Sequence, residues 1–298
     1  MISVEIDKNS GFCGGVIRAI TTAEKYLKEQ KSRLFSLGSI VHNEEELTRL
    51  EDMGLVTIDK EDLDQMVEAR DESLLIRAHG EPPAVYDKVR QRGFSIIDCT
   101  CPVVLKLQRD IREAFDRMKE KGGRVLLYGK VGHPEVLGLV GQVEEGGITV
   151  IETPESLDAL LASSVVSPDR DIELFSQTTM SPSGFRRLWE SLSAKMSPQA
   201  TLSVHNTICS QVASRHQELS DFALNHDVII FVSGKASSNG KVLCDLCKSL
   251  NIRTFNISSS EEILKDWFRP DDRVGVSGAT STPKWLLEEV AATIENLQ

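Results

Sequence analysis

Residues 94–121 read FSIIDCTCPVVLKLQRDIREAFDRMKEK. The run 94–98 suits a strand, and 102–121 carries apolar residues at helical spacing. Between them lies a turn with Cys99 and Cys101, and Pro102 takes a first helical position. The same succession of strand-like run, cysteine and helix-like run occurs around Cys13, in GFCGGVIRAI, and around Cys209, in TICSQVASRH. After Cys13 the apolar residues Val16, Ile20, Ala23 and Leu27 recur with helical period.

Working outward, short apolar runs alternate with amphipathic stretches along the whole chain, which predicts an α/β protein with mostly parallel strands. Strands are expected at 34–41, 73–77, 94–98, 124–129, 147–152, 171–176, 228–233, 253–257 and 273–277. Helices are expected after Cys13 and at 102–121, 181–196, 210–225, 259–268 and 282–297. Taken from each cysteine, a first strand ends in a polar tip after 29 residues (Cys13 to His42), 32 (Cys101 to His133) or 28 (Cys209 to Ser237). A second tip follows at His79, Thr178 and Ser281, at separations of 66, 77 and 72 residues. The expectation is three pseudo-equivalent α/β lobes: 1–98 with Cys13, His42 and His79; 99–207 with Cys101, His133, Glu135 and Thr178; and 208–298 with Cys209, Ser237–Asn239 and Ser281. Parallel sheets place ligands at the carboxyl ends of their strands, so the tips would rim one cavity in a three-lobed ring.

Composition narrows the chemistry. The 298 residues are 40% apolar and 27% charged, enough for an ordinary core. No apolar run approaches the roughly 18–20 residues of a membrane span, and MISVEIDKNSGFCGG lacks the basic start and apolar stretch of a secretory signal. A cytoplasmic protein without membrane or nucleic-acid partners is expected. The net charge of −11 argues against a nucleic-acid binder and requires any anion site to be local. In a reducing compartment the six cysteines point to metal or catalysis before disulfides.

Three thiolates at helix starts form a tripod for one metal centre, each favoured by the helix dipole. Their spacing is unlike a zinc finger, whereas an iron–sulfur cluster spans widely separated ligands; three buried structural cysteines are the plain alternative. Cys99 competes with Cys101, but as a strand-end residue it should point the other way. Cys244 and Cys247 form C-x-x-C inside a helix and read as core. GHPEVLG offers His133 as a donor or proton carrier and Glu135 as an acid, although a lone Glu there often only offsets the helix dipole. His42 and His79 add imidazoles at strand ends, and SQTTMS, KASSNGK and GATSTPKW add Thr178, Ser237, Ser238, Asn239 and Ser281. Each of these hydroxyls could be a helix cap; together they suit phosphate oxygens. Neither a P-loop nor a G-x-G-x-x-G fingerprint follows a strand.

In order, GFCGGVIRAI, IVHN, AHG, TCPVV, GHPEV, QTT, TIC, SSN and ATSTP resemble the motifs of the 4-hydroxy-3-methylbut-2-enyl diphosphate reductase (IspH/LytB) family, from about residue 10 to residue 285. The resemblance implies a 4Fe–4S cluster on Cys13, Cys101 and Cys209 with one open iron. It implies diphosphate binding by His42, His79, His133, Ser237, Ser238, Asn239 and Ser281, with Glu135 as proton source and Thr178 placing the substrate alcohol. The implied reaction removes an allylic hydroxyl with two electrons and two protons, giving isopentenyl and dimethylallyl diphosphates and water; a ferredoxin or flavodoxin would supply the electrons. Cys99 and Val212 depart from the family pattern, which has a small residue such as Ala and a Thr there. The competing readings are a non-catalytic iron–sulfur carrier or sensor, which would not need Glu135, and a metal-free binder of a phosphorylated metabolite.

Overall fold

The structure, a computed structural model, describes residues 2–30, 33–66 and 72–297. In chain order its strands are β1 Ser3–Ile6, β2 Leu34–Leu37, β3 Leu55–Ile58, β4 Ser73–Ile76, β5 Ser95–Asp98, β6 Arg124–Tyr128, β7 Ile148–Ile151, β8 Ile172–Ser176, β9 Leu202–Val204, β10 Val228–Val232, β11 Thr254–Ile257 and β12 Arg273–Gly278. The helices are α1 Gly14–Gln30, α2 Glu44–Asp52, α3 Lys60–Gln65, α4 Pro83–Gln91, α5 Pro102–Lys121, α6 Pro134–Val140, α7 Leu157–Ala162, α8 Pro182–Lys195, α9 Ser210–Leu224, α10 Ser238–Leu250 and α11 Lys284–Glu295. The strands fall into three four-stranded sheets, the α/β class expected.

Two compact units divide the chain, one comprising Met1–Gln65, Glu72–Arg77 and Ala213–Gln298, the other Met66–Asp71 and Ala78–Val212. The first holds a sheet of order β1-β12-β10-β11 and the parallel pairs β2·β3 and β2·β4. β10 is buried throughout and alternates its faces. Val228, Ile230 and Val232 pack with Leu287, Val290 and Ile294 of α11. Ile229 and Phe231 pack with Leu219 of α9 and with Leu243, Cys244 and Cys247 of α10. An apolar run covered on both faces is what a central parallel strand requires.

The second unit holds the sheet β7-β6-β8-β9. One face, with Val125, Leu127 and Phe175, meets Leu107, Ile111, Ala114 and Met118 of α5. The other, with Leu126 and Leu174, meets Phe185, Leu188 and Leu192 of α8. Each such fully buried side chain contributes roughly 1.5–3 kcal/mol. α5 starts on Pro102 and stops at Gly122, whose φ of +70° closes the helix in a left-handed cap.

The two sheets share a plan. Read from its β11 edge, the first sheet is β11-β10-β12-β1, so that in each sheet the first strand of the segment lies second and the fourth position is taken by the strand that leads into a cysteine: β9 before Cys209 and β1 before Cys13. β1 therefore pairs with β12, from the far end of the chain, in parallel register from Ser3↔Arg273 to Ile6↔Val276. The segment 259–268, expected to be a helix, forms two short 3₁₀ turns instead, Ser260–Glu262 and Lys265–Trp267. Trp267 stacks on Phe255 of β11 at 4.3 Å between centroids, and Arg253 donates to the Trp267 carbonyl at 2.9 Å. These contacts draw the chain back onto the sheet before a helical turn can propagate.

Candidate active site

Each tripod cysteine directly precedes a helix, and its carbonyl accepts a first-turn amide: Ile17 N–H on Cys13, Leu105 N–H on Cys101 and Val212 N–H on Cys209, all at 2.9 Å. Each cysteine's own N–H donates to a carbonyl two residues beyond a strand. Cys13 donates to Thr280 (3.1 Å), Cys101 to Ala78 (3.0 Å) and Cys209 to Thr178 (2.9 Å). This pattern corrects the register read from spacing. Thr178 corresponds to Ala78 and Thr280, while His79 and Ser281 lie one residue further on. Counting residues from a cysteine cannot resolve one position when the intervening loops differ in length. The first tips do coincide: His42, His133 and Ser237 each lie five residues past their strand (42−37, 133−128, 237−232).

Cys13, Cys101 and Cys209 are half-buried, whereas Cys99, Cys244 and Cys247 are buried. Burial raises the Cys244 thiol and pushes that of Cys247 up to about 12, so this pair stays protonated and packs as core. A metal ligand must be a thiolate, a form that burial disfavours at Cys244 and Cys247. The turn before Cys101 is set by Asp98, whose Oδ1 accepts the Thr100 amide (2.9 Å) and hydroxyl (2.6 Å).

In the second unit, Glu135 is 1% exposed at the second position of α6. Its Oε1 accepts the Thr178 amide and its Oε2 the Thr178 hydroxyl, both at 2.7 Å. Burial pushes its carboxyl up to about 7, and the two bonds from Thr178 oppose that rise. His133 caps α6, its Nδ1 accepting the Glu135 amide at 3.2 Å. An accepting Nδ1 puts the proton of the neutral ring on Nε2. The His79 ring stands edge-on to it at 5.4 Å. Thr178 is not the cap of α8; Ser181 is, accepting Gly184 N–H at 3.3 Å.

In the first unit, Ser237 caps α10 by accepting Gly240 N–H (3.0 Å) and lies 3.2 Å from the Ser281 hydroxyl. Ser281 Oγ also reaches the His42 carbonyl at 3.4 Å. Ser238 follows at the first helical position, half-buried. Asn239 is 7% exposed, its Oδ1 accepts from Thr280, and its Nδ2 is buried without a protein partner. Burial, and next the Arg77 charge, lower the His42 imidazole, which favours its neutral form. Sequence reasoning missed Gly234, where a Cβ would meet the His42 carbonyl at 2.3 Å; only glycine lets the β10 turn lie against this loop.

The LytB protein family model matches residues 4–295. The chain belongs to the LytB family. Among relatives of this family, the 4-hydroxy-3-methylbut-2-enyl diphosphate reductase of Porphyromonas gingivalis is 46% identical over all of both chains. That of Parabacteroides distasonis is 47% identical over 100% of this chain and 99% of its own. A solved (E)-4-hydroxy-3-methyl-but-2-enyl diphosphate reductase, the terminal enzyme of the non-mevalonate pathway, has a TM-score of 0.69 at 32% identity, covering 99% of this chain and 100% of that one. The LytB family implies an iron–sulfur cluster, and cysteine sulfur is the donor chemistry that such a cluster takes. No helix among the described residues is long and apolar enough to cross a membrane.

Proposed function

We propose that this chain reduces 4-hydroxy-3-methylbut-2-enyl diphosphate to isopentenyl and dimethylallyl diphosphates: the allylic C–O bond breaks, two electrons and two protons enter, and water leaves. The observation that carries the reading is Glu135, a fully buried carboxyl with a pKa near neutrality, held at both oxygens by Thr178 in a chain of the LytB family. In this reading the segments 1–98, 99–207 and 208–298 each bring one cysteine, and Cys13, Cys101 and Cys209 hold a 4Fe–4S cluster with one iron lacking a thiolate. When bound, the cluster supplies electrons one at a time and a Lewis-acidic iron.

The remaining work falls to side chains. Glu135 gives its proton to the departing hydroxyl oxygen; an acid with a pKa near 7 is half protonated at neutral pH and is matched to that task. Thr178 keeps the carboxyl in place and turns the substrate alcohol toward it. His42, His79, His133, Ser237, Ser238, Asn239 and Ser281 bind the diphosphate through hydrogen-bond donors. That handle is not cleaved; its binding energy holds the reacting carbon in position. Donors of this kind can bind a polyanion because each donates a directed hydrogen bond, and helix starts at α6 and α10 add amide dipoles. Electrons come from a ferredoxin or flavodoxin, and the enzyme works in the cytoplasm.

The deciding experiment is anaerobic turnover of the hydroxylated diphosphate with a chemical reductant and analysis of the five-carbon products. Absence of both products from protein with full iron and sulfide content would overturn the reading. Glu135→Gln separates it from an electron carrier: a carrier keeps its redox function, whereas the reductase loses turnover with its cluster intact.

A further inference from the structure

The two units contain the same threonine device twice. In the second, Thr178 stands two residues past β8 and donates its amide and hydroxyl to the side chain at the second position of α6, Glu135. In the first, Thr280 stands two residues past β12 and donates its amide (3.4 Å) and hydroxyl (3.1 Å) to the side chain at the second position of α10, Asn239. Both threonines also hold a tripod cysteine through their carbonyls. The repeat is structural; the residue held by the threonine differs in one respect that matters. Glu135 can carry a proton. Asn239 cannot, but it has two faces, one accepting and one donating.

We propose that Thr280 is a positioning residue for substrate binding: it fixes the Asn239 amide so that the NH₂ group, not the oxygen, faces the diphosphate. A backbone N–H can only donate, so the amide atom that meets Thr280 must be Oδ1. The hydroxyl adds a second donor to the same oxygen. Nδ2 is thereby turned the other way, where it is buried without a protein partner, a donor that a phosphate oxygen satisfies. Without the hydroxyl, one weak amide contact is left to resist a flip that would aim Oδ1 at an anion. The inference rests on the reading of Asn239 as a diphosphate contact.

The test uses anaerobically purified holoenzyme. Thr280→Val, Thr280→Ala, Thr280→Ser, Asn239→Ala and the Thr280→Val/Asn239→Ala double variant are compared by steady-state kinetics and by calorimetric affinity for inorganic pyrophosphate. Cluster absorption and EPR spectra show which variants load iron normally; Thr280→Ala replaces Thr280→Val if the latter does not. For Thr280→Val, KM and the pyrophosphate Kd should rise about tenfold, the loss of one directed hydrogen bond. Its kcat should stay within about twofold, since the handle and not the reacting group is disturbed. Thr280→Ser should restore wild-type affinity, and the double variant should match Asn239→Ala alone. Unchanged affinity in Thr280→Val beside weakened Asn239→Ala overturns the role of Thr280 only, as does additivity in the double variant. Unchanged affinity in Asn239→Ala overturns the diphosphate assignment of Asn239, and this inference with it.

Discussion

Glu135 is acted on by two opposed effects. Burial favours its neutral form, while two donated hydrogen bonds favour the carboxylate, and burial prevails to leave the group near 7. Its protonated fraction therefore falls as pH rises through about 7, and kcat/KM for the proposed reaction should decline toward tenfold per pH step above that point, measured with a reductant of constant strength. Glu135→Gln keeps both contacts with Thr178, because an amide oxygen accepts the amide N–H and its NH₂ donates to the hydroxyl. It should lower kcat by about 10²–10⁴ with the iron content unchanged. The same side chain bears on stability. A carboxyl raised from 4.5 to about 7 on folding supports the fold fully below pH 4.5 and loses that support as pH rises through 7. The loss is ~3 kcal/mol from the shift of 2.5 at 1.36 kcal/mol per pH unit. Glu135→Gln should thus melt higher than the parent at pH 8 and equally at pH 4, a comparison that calorimetry makes directly.

Among the elements, the junction of β1, β12 and α9 holds the first cysteine loop. Arg215 of α9 is 3% exposed and reaches Asp7 at 2.5 Å and the Ser277 hydroxyl at 2.6 Å. Ser277 donates in turn to Asp7 at 3.0 Å. Asp7 also accepts the Asn9 amide at 3.0 Å, shaping the turn that leads to Cys13. Removing one member leaves a buried charge without its partner, so Arg215→Met should cost about 3–5 kcal/mol in chemical denaturation. An Asp7→Asn, Arg215→Met pair should recover part of it, because the unpaired carboxylate is gone. None of this was legible in the sequence. Asp7 and Arg215 are 208 residues apart (215−7), and no pattern in the sequence pairs them. β1, β3 and β9 were also missed, being runs of only three or four residues. The buried central strands β6, β8 and β10 were plain to read, since continuous apolar runs admit few other placements. The strand-end polar residues were readable too, because a polar tip after such a run has only a loop to occupy. Which neighbour each tip touches was not, and the Thr178 register shows the size of that gap: one residue.

For the chain as a whole, charge and cysteine count make separate forecasts. With a net charge of −11 a diphosphate approaches against the mean field, so kcat/KM should hold steady or rise as salt shortens the screening length from about 30 Å at 0.01 M to about 8 Å at 0.15 M. A fall over that range would mean a local cationic funnel. Replacing Cys13, Cys101 or Cys209 singly by Ser should abolish the visible absorption of the iron–sulfur centre and turnover together. Serine at Cys99, Cys244 or Cys247 should preserve colour, at most lowering the melting temperature.

The pairing of β1 with β12 also orders events during biosynthesis. Ser3–Ile6 emerges from the ribosome long before its partner Arg273–Gly278. The Thr280 carbonyl that receives the Cys13 amide arrives later still. Cys13 is consequently made long before the strand end that anchors it, and its loop cannot take its native form until residue 280 has been added.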